Sequence, residues 1–340
     1  MHRLLVIGTG SIGERHVRCF QQTGRAEVSI CEPLAERRAE VAARYRLSAA
    51  FADLDAALRS PPDAAVVATP ANLHIAQAQQ LAAAGCHLLI EKPLGTSVDG
   101  VEELRQTVKE RSLVAAVAYV YRAHPALQAM RAAIREERFG EPVEIVVQAG
   151  QNFPTYRPAY RDTYYRDRAT GGGAIQDALT HLLNAGEYLV GPIDRVAADA
   201  AHRVLDTPAV EDTVHVLARH GDVLGSYSLN QHQAPNESTI TVVCRQGTAR
   251  FEMDGSRWKW MTEPGSAWHE EPAWSLERDS MFIAQAGAFL DAVERRAAPL
   301  CSLDEGLQTL RANLAVLAAA DSQGWVTIAP RPSDTGEVHV

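Results

Sequence analysis

The sequence predicts an α/β protein of two domains, a doubly wound parallel sheet followed by an α+β domain with an open, mostly antiparallel sheet. Three observations favour this fold class. In the first third of the chain, short apolar runs alternate with amphipathic helical segments. Further along, strand-like segments follow one another without helices between them. With 340 residues, the chain is long enough for two domains of about 100–200 residues each.

Residues 1–121 are predicted to form the first domain, because continuous Val, Ile, Leu and Ala content indicates strands buried on both faces of a sheet. The predicted strands span 4–7, 27–31, 64–68, 87–90 and 114–119. Helical periodicity between them predicts helices at 13–23, 34–45, 53–59, 72–84 and 98–111. Each strand is thus followed by a helix that can cross over to the next parallel strand.

Residues 122–330 are predicted to form the second domain, and 331–340, rich in Pro and charge, a loose tail. The domain begins with a helix at 125–137, a strand at 143–149 and a long helix that follows Gly171-Gly172-Gly173 and ends near Val190. Strands are predicted next at 196–204, 213–218, 223–229, 238–244 and 248–253. Two closing helices, 280–296 and 302–322, are expected to cover this sheet or to return to the first domain.

The composition, with 46% hydrophobic and 22% charged residues, is that of an ordinary globular protein. The net charge of −9, with no long run of one sign, argues against nucleic acid or an anionic membrane as a partner. No apolar run approaches the roughly 20 residues of a membrane span, and the five scattered cysteines include no Cys-x-x-Cys pair. We therefore expect a cytoplasmic protein with free thiols and no metal site, which forms a homodimer or homotetramer through its one-sided sheet.

The segment Gly8-Thr9-Gly10-Ser11-Ile12-Gly13 lies between a predicted strand and a predicted helix. In that position glycines allow a tight turn, let backbone N–H groups approach a pyrophosphate and let the helix pack closely on the strand. Glu32 lies 19 residues after Gly13, where an acid binds the adenosine ribose hydroxyls and repels a 2′-phosphate. A Rossmann domain that binds NAD rather than NADP is therefore favoured over a glycine turn without a ligand. Arg37 and Arg38 would weaken the preference for NAD if they reached the ribose.

Glu91-Lys92-Pro93 stands at the carboxyl end of a predicted strand, the edge of a doubly wound sheet where ligands bind. A lysine held there can hydrogen-bond a substrate hydroxyl or carbonyl and stabilise the negative charge that develops on oxygen during hydride transfer. The alternative is a surface lysine that ends a strand, and the segment alone leaves both interpretations open.

Asp177 and His181 lie four residues apart on the predicted helix after the three glycines, so their side chains share a face. Histidine is the usual general base near neutral pH, and a carboxylate one turn away can orient its ring. Asn184 extends this polar stripe. Taken alone the stripe favours an ion pair on a helix surface, whereas its combination with Lys92 and the glycine loop favours an active site.

In combination these segments resemble the Gfo/Idh/MocA family of sugar and inositol oxidoreductases. The resemblance rests on the start GTGSIGERH, on ATPANLH at 68–74, on Glu91-Lys92-Pro93 and on the three glycines followed by Asp177 and His181. It extends to Tyr121-Arg122-x-His124-Pro125 and to the closing helix that begins with Ser302-Leu303-Asp304-Glu305-Gly306, so it spans nearly the whole chain.

The resemblance implies an N-terminal domain that binds NAD(P), an open antiparallel sheet in the second domain, and a substrate between them. It implies that Lys92 contacts the reacting hydroxyl, that Asp177 binds substrate and assists the histidine, and that His181 is the general base. Further implied site residues are Thr69, Pro70, Asn72 and His74 on the nicotinamide side, Glu91 near the nicotinamide ribose, and Tyr121 and Arg122 for substrate. Oxidation then needs a neutral imidazole, so the rate is expected to rise with pH.

Two departures from the family pattern stand out. Members often carry an acid three residues after the histidine, where this chain has Asn184, an amide that can orient a substrate hydroxyl but carries no charge. Val120 and Ala123 stand where an Asn or Arg and an aromatic residue are common. We interpret both as a pocket adjusted to a different substrate, although neutral drift gives the same pattern.

The loop from Phe153 to Arg168 is rich in tyrosine and arginine: Tyr156, Tyr160, Tyr164, Tyr165, Arg157, Arg161, Arg166 and Arg168. Aromatic rings stack on sugars and arginine binds carboxylate or phosphate, so an acidic sugar or nucleotide sugar is a candidate substrate, with Tyr156 and Arg157 as contacts. Tyrosines that anchor the loop and arginines that face solvent are an equally good interpretation.

The sequence therefore predicts an NAD-dependent oxidoreductase that transfers a hydride between nicotinamide and a carbinol carbon of a sugar, inositol or sugar derivative. Two alternatives remain, an enzyme that cleaves glycosides through transient oxidation and a non-catalytic regulator that binds NAD or a sugar. The presence of Lys92, Asp177 and His181 argues against the regulator, since a pure binder does not need them.

Overall fold

The computed structural model describes residues 1–206 and 210–329, and the chain divides into two compact units. The first unit comprises Met1–His124, Ala169–Gly171 and Ser275–Leu307. The second comprises Pro125–Arg168, Gly172–Trp274 and the chain from Gln308 onward. The loose tail expected at 331–340 lies outside the described residues.

The first unit is built on a six-stranded sheet. Its strands are β1 (His2–Ile7), β2 (Ala26–Cys31), β3 (Ala50–Phe51), β4 (Ala64–Val67), β5 (His87–Ile90) and β6 (Ala115–Val117). Its helices between them are α1 (Ser11–Gln22), α2 (Ala35–Tyr45), α3 (Leu54–Leu58), α4 (His74–Ala83) and α5 (Val101–Glu110). All neighbouring strands are parallel, in the order β3-β2-β1-β4-β5-β6. This is the strand order of a Rossmann domain, which binds its ligand at the carboxyl ends of the strands, and it confirms the predicted class.

The second unit carries a nine-stranded sheet. Its strands are β7 (Pro142–Gly150), β8 (Arg195–Ala201), β9 (Thr213–His220), β10 (Val223–Asn230), β11 (Glu237–Cys244), β12 (Gly247–Glu252), β13 (Arg257–Met261), β14 (His269–Glu270) and β15 (Val326–Thr327). They are ordered β14-β13-β12-β11-β7-β10-β9-β8-β15. Only β7 and β10 pair in parallel, and the other described pairs are antiparallel. The open, mostly antiparallel sheet expected from the sequence is confirmed.

The remaining helices are α6 (Pro125–Arg135), α7 (Phe153–Tyr156), α8 (Thr180–Val190), α9 (Ser280–Val293) and α10 (Leu303–Ser322). Helix α9 belongs to the first unit, where Phe289 packs edge-on against Phe20 of α1 with ring centroids 6.2 Å apart. The first turn of α10 also belongs to it, and a Cβ on Gly306 would lie 2.2 Å from Cγ2 of Val117. Among the described residues, no helix combines the length and apolar character needed to cross a membrane.

The structure differs from the prediction where the chain leaves regular periodicity. The strand expected at 196–204 ends at Ala201. The carboxylate of Asp212 accepts hydrogen bonds from the backbone N–H groups of residues 203–205, which turns the chain away from the sheet. Strands β3, β14 and β15 have two residues each, too few to show a period in the sequence, and the apolar pattern did not single out β13.

Candidate active site

The glycines of the 8–13 loop have different surroundings. Gly8 has a φ of +80°, and a Cβ on it would lie 2.9 Å from the carbonyl oxygen of Ala68, just after β4. A Cβ on Gly13 would lie 1.9 Å from the carbonyl oxygen of Gly8, so only glycine lets α1 start against the turn. A Cβ on Gly10 would meet nothing within 4 Å. Two glycines therefore serve the packing of the loop, and the third leaves the backbone accessible.

The N-terminus of α1 is accessible as well. Gly10 is its N-cap residue, and no side chain caps the helix there. Ser11 is exposed, whereas Ile12 packs against the hydrophobic core of the first unit. A helix N-terminus that presents its backbone N–H groups in this way favours a phosphate. The loop and the helix therefore fit the pyrophosphate of a dinucleotide.

Glu32 follows β2 and is hydrogen-bonded to the glycine loop. Its Oε2 accepts hydrogen bonds from the backbone N–H and the hydroxyl of Thr9, both at 2.9 Å, and its Oε1 accepts from the N–H of Leu34 at 3.1 Å. Burial raises the pKa of Glu32, but these hydrogen bonds outweigh it and hold the pKa below its ordinary value. Arg38 donates to the backbone oxygens of Glu32 and Pro33, so its guanidinium lies close to this acid.

Glu91 and Lys92 follow β5 at the same edge of the sheet. The buried Oε1 of Glu91 lies 2.7 Å from Nε2 of His16 in α1, and its Oε2 accepts from the backbone N–H of Lys92 at 3.0 Å. Burial raises the pKa of Glu91, but the contact with His16 and the charge of Lys92 bring it below its ordinary value. Lys92 is half-buried, and its peptide bond to Pro93 is cis. The Glu91–His16 contact therefore joins the lysine segment to the helix that starts at the glycine loop.

His74 ties the segment after β4 to the lysine segment. The residue is 1% exposed, and its ring places Nδ1 3.0 Å from the carbonyl oxygen of Pro93 and Nε2 2.8 Å from that of Thr69. Burial lowers the pKa of His74, and the carbonyl contacts only partly offset this, so the ring is neutral near pH 7 and donates to one carbonyl at a time. Thr69 is half-buried, and Pro70 and Asn72 are exposed. His74 thus holds the segment after β4 next to the lysine segment through these two carbonyl contacts.

The short helical turn Val120–Ala123 follows β6 and carries Tyr121 and Arg122. Arg122 is 2% exposed, and its Nη1 donates to the carbonyl oxygen of Leu300 at 3.0 Å and to Oε1 of Glu305 at 2.5 Å. Burial raises the pKa of Glu305, but the charge of Arg122 holds it below its ordinary value. Tyr121 is half-buried, and both ends of the turn are buried. Arg122 therefore joins β6 to the start of α10, and its contact with substrate stays a prediction.

In the second unit, Gly172 and Gly173 lie just before the helix that carries Asp177. A Cβ on Gly172 would lie 2.2 Å from the carbonyl oxygen of Tyr165, so glycine lets the tyrosine-rich loop pack on the helix start. Gly173 has a φ of +87°, and a Cβ on it would lie 2.5 Å from Oε1 of Glu211. A side chain at position 172 would thus collide with the backbone of Tyr165, and one at position 173 with the carboxylate of Glu211.

Glu211 caps this helix. Its carboxylate is buried, and Oε1 accepts the backbone N–H of Ile175 at 3.0 Å. Its Oε2 accepts from Nε of Arg168 at 2.9 Å. A carboxylate at a helix N-terminus satisfies a backbone N–H group and interacts favourably with the helix dipole. Glu211 thus fixes the point from which Asp177 and His181 are presented.

Asp177 lies in a π-helical turn, Ile175–Leu179, that leads into α8. Such turns are rare and frequent at functional sites, and the wider turn changes the angular spacing that a regular α-helix gives to residues 177 and 181. Asn313 of α10 donates to the carbonyl oxygen of Ile175 at 2.8 Å. Asp177 is 5% exposed and accepts a hydrogen bond from the hydroxyl of Tyr164 at 2.7 Å, and His181 is half-buried in the first turn of α8.

Asn184 is fully buried in α8. Its Nδ2 donates to the hydroxyl oxygen of Thr309 at 2.9 Å, and that hydroxyl in turn donates to Oε2 of Glu187 at 2.5 Å. Because the Thr309 proton goes to Glu187, the residue at position 184 has to be a donor, which an amide is and a carboxylate is not. This contact gives a packing reason for the departure from the family pattern, and the predicted contact of Asn184 with substrate stays a prediction.

The four tyrosines of the 153–168 loop fall into two groups. Tyr160 and Tyr165 are buried, and the ring of Tyr165 packs on Phe153 at 4.8 Å, so these two anchor the loop as the alternative interpretation expected. Tyr156 and Tyr164 are 51% and 40% exposed. Of this second group, Tyr164 contacts the predicted reactive groups through Asp177.

The arginines of this loop also fall into two groups. Arg161 lies 2.6 Å from a carboxylate oxygen of Asp206, and Arg168 pairs with Glu211. Arg157 and Arg166 are exposed, and the guanidinium of Arg157 lies 5.9 Å from the ring centroid of Phe153. Two of the four arginines are therefore already matched by acids of the chain.

Three site residues were not singled out from the sequence: His16, Tyr164 and Glu211. His16 stands inside GTGSIGERH, so a signal was present, but its partner Glu91 is 75 residues away. Tyr164 was one of four tyrosines in its loop, and Glu211 has no motif around it. Only the fold brings each of them to its partner.

The chain has five cysteines. All five are buried and free. Burial raises the pKa of Cys19, Cys31, Cys86 and Cys244 to about 11, so these four are thiols at neutral pH. In the described parts of the chain, no group of three or more His, Cys, Asp or Glu side chains is arranged to hold a metal ion.

Two family models match the chain in succession. The first, described as "Oxidoreductase family, NAD-binding Rossmann fold", matches residues 2–119. The second, "GFO/IDH/MocA C-terminal domain", matches residues 127–250. The two models are the N- and C-terminal parts of one family, in the order found here.

Relatives of known activity match over nearly the whole chain. The UDP-N-acetylglucosamine 3-dehydrogenase of Acidithiobacillus ferrooxidans is 27% identical over 327 residues, which cover 93% of this chain and 96% of that protein. The 1,5-anhydro-D-fructose reductase of Ensifer adhaerens is 24% identical and covers 94% of this chain and 96% of that protein.

Solved structures share the fold of this chain over nearly its whole length. Levoglucosan dehydrogenase, in complex with NADH and levoglucosan, superposes with a TM-score of 0.88 at 21% identity, covering 97% of this chain and 100% of that one. The WlbA dehydrogenase from Bordetella pertussis, in complex with NADH and UDP-GlcNAcA, superposes with a TM-score of 0.83 at 26% identity, covering 97% and 99%. With both family models matched in order and relatives aligned end to end, this chain belongs to the Gfo/Idh/MocA family of NAD-binding oxidoreductases.

Proposed function

We propose that this oxidoreductase transfers a hydride between NAD and a carbinol carbon of a sugar or sugar derivative, with Lys92, Asp177 and His181 as its reactive groups. The observation that carries the proposal is the position of Lys92. It follows the carboxyl end of β5, and the contact between Glu91 and His16 joins its segment to the helix of the glycine loop. A cation beside a dinucleotide site is suited to meet the oxygen of a hydroxyl that reacts at the nicotinamide.

Each reactive group then has a distinct task. The glycine loop and Glu32 hold the pyrophosphate and adenosine ribose of NAD, which when bound takes up the hydride of the carbinol carbon. His181, with a neutral imidazole, removes the hydroxyl proton, and in the opposite direction it returns that proton. Lys92 donates to the same oxygen and stabilises its negative charge, while Asp177 accepts hydrogen bonds from substrate and stabilises the protonated histidine.

Replacing His181 with alanine tests the proposed base. We expect kcat to fall by about 10²- to 10⁴-fold, the usual contribution of a general base, while a fluorescence titration shows unchanged NAD binding. His269→Ala is the matched control, because His269 is an exposed histidine at the edge strand β14. Turnover of His181→Ala at the rate of the control would refute the assignment.

The substrate class rests on the relatives. Those named above act on, or are bound to, a sugar nucleotide, an anhydrosugar and levoglucosan, and others are named for inositol and D-xylose. A panel of these compounds, followed by NADH formation, identifies the class. NADH formed in equal amount to oxidised substrate excludes the glycoside-cleaving alternative, in which the cofactor returns to NAD.

An acidic substrate is supported by two arginines rather than four. Arg157 and Arg166 are exposed, and the WlbA dehydrogenase is bound to the acidic UDP-GlcNAcA. Comparing charged and neutral members of one sugar series tests this preference. Equal kcat/KM for both would contradict it.

We propose NAD as the preferred dinucleotide because Glu32 is held in its ionised form, which repels a 2′-phosphate. The Glu32→Gln substitution removes this charge and keeps the length of the side chain, although its amide nitrogen cannot accept a hydrogen bond as a carboxylate oxygen does. We expect it to raise kcat/KM for NADP relative to NAD. A wild-type enzyme that uses both equally would show that Arg38, which lies beside Glu32, offsets the carboxylate.

We also propose that two or more copies associate through the outer face of the nine-stranded sheet. Leu217 and Leu224 are 57% and 49% exposed there, and Val146 lies on the neighbouring strand β7. Light scattering after gel filtration measures the assembly. Leu217→Glu is expected to dissociate it, whereas Leu34→Glu, at a leucine 55% exposed beside α2, leaves it intact. A monomeric wild type would contradict this.

A cytoplasmic location is the last part of the proposal. It is supported by the five free, buried cysteines, as expected in a reducing compartment. Recovery of the protein with an extracytoplasmic marker after cell fractionation would contradict it.

A further inference from the structure

Tyr164 joins the tyrosine-rich loop to a predicted reactive group, Asp177. Its hydroxyl donates to Oδ1 of Asp177 at 2.7 Å. The bond is charge-assisted when Asp177 is ionised, which makes it one of the stronger kinds of hydrogen bond in proteins. Asp177 itself is 5% exposed, so the tyrosine hydroxyl provides a defined partner for a carboxylate that solvent barely reaches.

The loop holds Tyr164 firmly on its C-terminal side. The next residue, Tyr165, is 2% exposed, and its hydroxyl donates to the side-chain oxygen of Gln231. The backbone N–H of Gly172 donates to the carbonyl oxygen of Asp167 at 2.9 Å, and Arg168 pairs with Glu211. The backbone of Tyr164 is therefore fixed by neighbours that do not depend on its own side chain.

Tyr164 as a whole nevertheless remains 40% exposed. A tyrosine whose backbone and hydroxyl are both fixed has little rotamer freedom left to lose, so a ligand that covers its ring pays a small entropic cost. The ring face is apolar, and the carboxylate at its hydroxyl end accepts hydrogen bonds. Such a pair suits a sugar, which presents C–H groups on its faces and hydroxyl groups at its edge.

We propose that Tyr164 is a substrate-site residue with two separable roles, its hydroxyl positioning Asp177 and its ring forming a platform for the face of the sugar. The inference rests on the proposed role of Asp177 in substrate binding. It extends that role to a loop residue that the family motif does not include, and the predicted contact of Tyr156 with substrate stays a prediction.

Two substitutions separate the roles. Tyr164→Phe keeps the ring and removes the hydroxyl, and we expect kcat to fall about 10-fold with KM unchanged, the effect of a hydrogen bond to a charged group. Tyr164→Leu removes the ring as well, and we expect the same fall in kcat together with a rise in KM of about 5-fold, from the lost aromatic contact. Both are measured as NADH formation with the best substrate of the sugar panel.

Tyr45→Phe is the matched control. Tyr45 also donates its hydroxyl to a carboxylate, Oε1 of Glu14 at 2.9 Å, but it lies on α2 in the first unit. We expect this variant to keep the kcat and KM of the wild type, and all variants to keep its NAD affinity. Equal losses in Tyr164→Phe and Tyr45→Phe would overturn the positioning role, and equal KM values for Tyr164→Leu and Tyr164→Phe would overturn the platform.

Asp177→Asn is measured alongside, so that the inference and the proposed function fail separately. An active Asp177→Asn enzyme would refute the proposed role of Asp177 and, with it, the reason for the tyrosine contact. An inactive Asp177→Asn enzyme beside a fully active Tyr164→Phe enzyme would leave the proposed function standing and overturn the role of Tyr164 alone.

Discussion

Replacing Gly173 with alanine tests how the helix that carries Asp177 is held. Gly173 has a φ of +87°, a conformation that costs a residue with a side chain on the order of 1–3 kcal/mol. The new Cβ would also lie 2.5 Å from Oε1 and 3.0 Å from Cδ of Glu211, so that carboxylate would have to move. The substitution therefore strains the backbone at residue 173 and also displaces the carboxylate of Glu211.

The displacement has a cost of its own. Glu211 accepts the N–H of Ile175 at 3.0 Å and pairs with Nη2 of Arg168 at 2.8 Å. Losing a hydrogen bond to a buried charged group costs about 1.5–3 kcal/mol. Together with the backbone strain, we expect Gly173→Ala to destabilise the protein by about 3 kcal/mol or more.

Gly191→Ala separates the two contributions. Gly191 ends α8 in the same unit with a φ of +101°, and a Cβ on it would meet nothing within 4 Å, so this variant carries only the backbone strain. In a thermal melt we expect the Tm of Gly173→Ala to lie about 4 °C or more below that of Gly191→Ala, at roughly 2 °C per kcal/mol. A Gly173→Ala protein as stable as Gly191→Ala would refute the capping role of Glu211.

Three further outcomes are expected. Asn184→Asp removes the donor to Thr309 inside a fully buried site and should cost about 2 kcal/mol or more in urea unfolding at pH 7, and wild-type stability would contradict this. Burial lowers the pKa of His220 from 6.5 to about 4, so the unfolded chain takes up the proton first as pH falls, and up to about 3 kcal/mol of stability is lost between pH 6.5 and 4. His220→Gln should flatten that slope in melts taken across this range, and an unchanged slope would count against it. Arg122→Met leaves the carboxylate of Glu305, whose side chain is 34% exposed, without this cation and should cost about 2 kcal/mol, which an unshifted Tm would disprove.

The first unit could be predicted in detail because its signals are local. Each strand is buried on both faces, so its residues form a continuous apolar run, and each helix between strands shows its own period. The glycine loop, Glu32 and Lys92 all follow strand ends along the chain, and strand ends of a parallel sheet meet at one edge. The predicted order of elements was therefore enough to bring them to one side of the sheet.

The second unit was predicted less completely. The alternating pattern of its strands predicted an antiparallel sheet. The parallel pairing of β7 with β10 could not be predicted, because the packing of the whole unit decides which strands become neighbours. The π-helical turn at Asp177 likewise has no pattern of its own in the sequence, and Asn313, which donates to the carbonyl oxygen of Ile175 in this turn, comes from the distant helix α10. The change of angular spacing between Asp177 and His181 could not be derived from a regular helix.

The sequence by itself determined which chemistry we expect of this protein, since the glycine loop, the lysine after a strand and the pair Asp177 and His181 are signals contained in short stretches of chain. The tertiary structure decided which other groups contact the predicted site residues and the backbone that carries them. Tyr164 meets Asp177 across 13 residues, Glu211 meets Ile175 across 36, and His16 meets Glu91 across 75. Hydrogen bonds at such separations are specified by packing rather than by periodicity, because the partner is chosen by the shape of the folded unit and not by its distance along the chain.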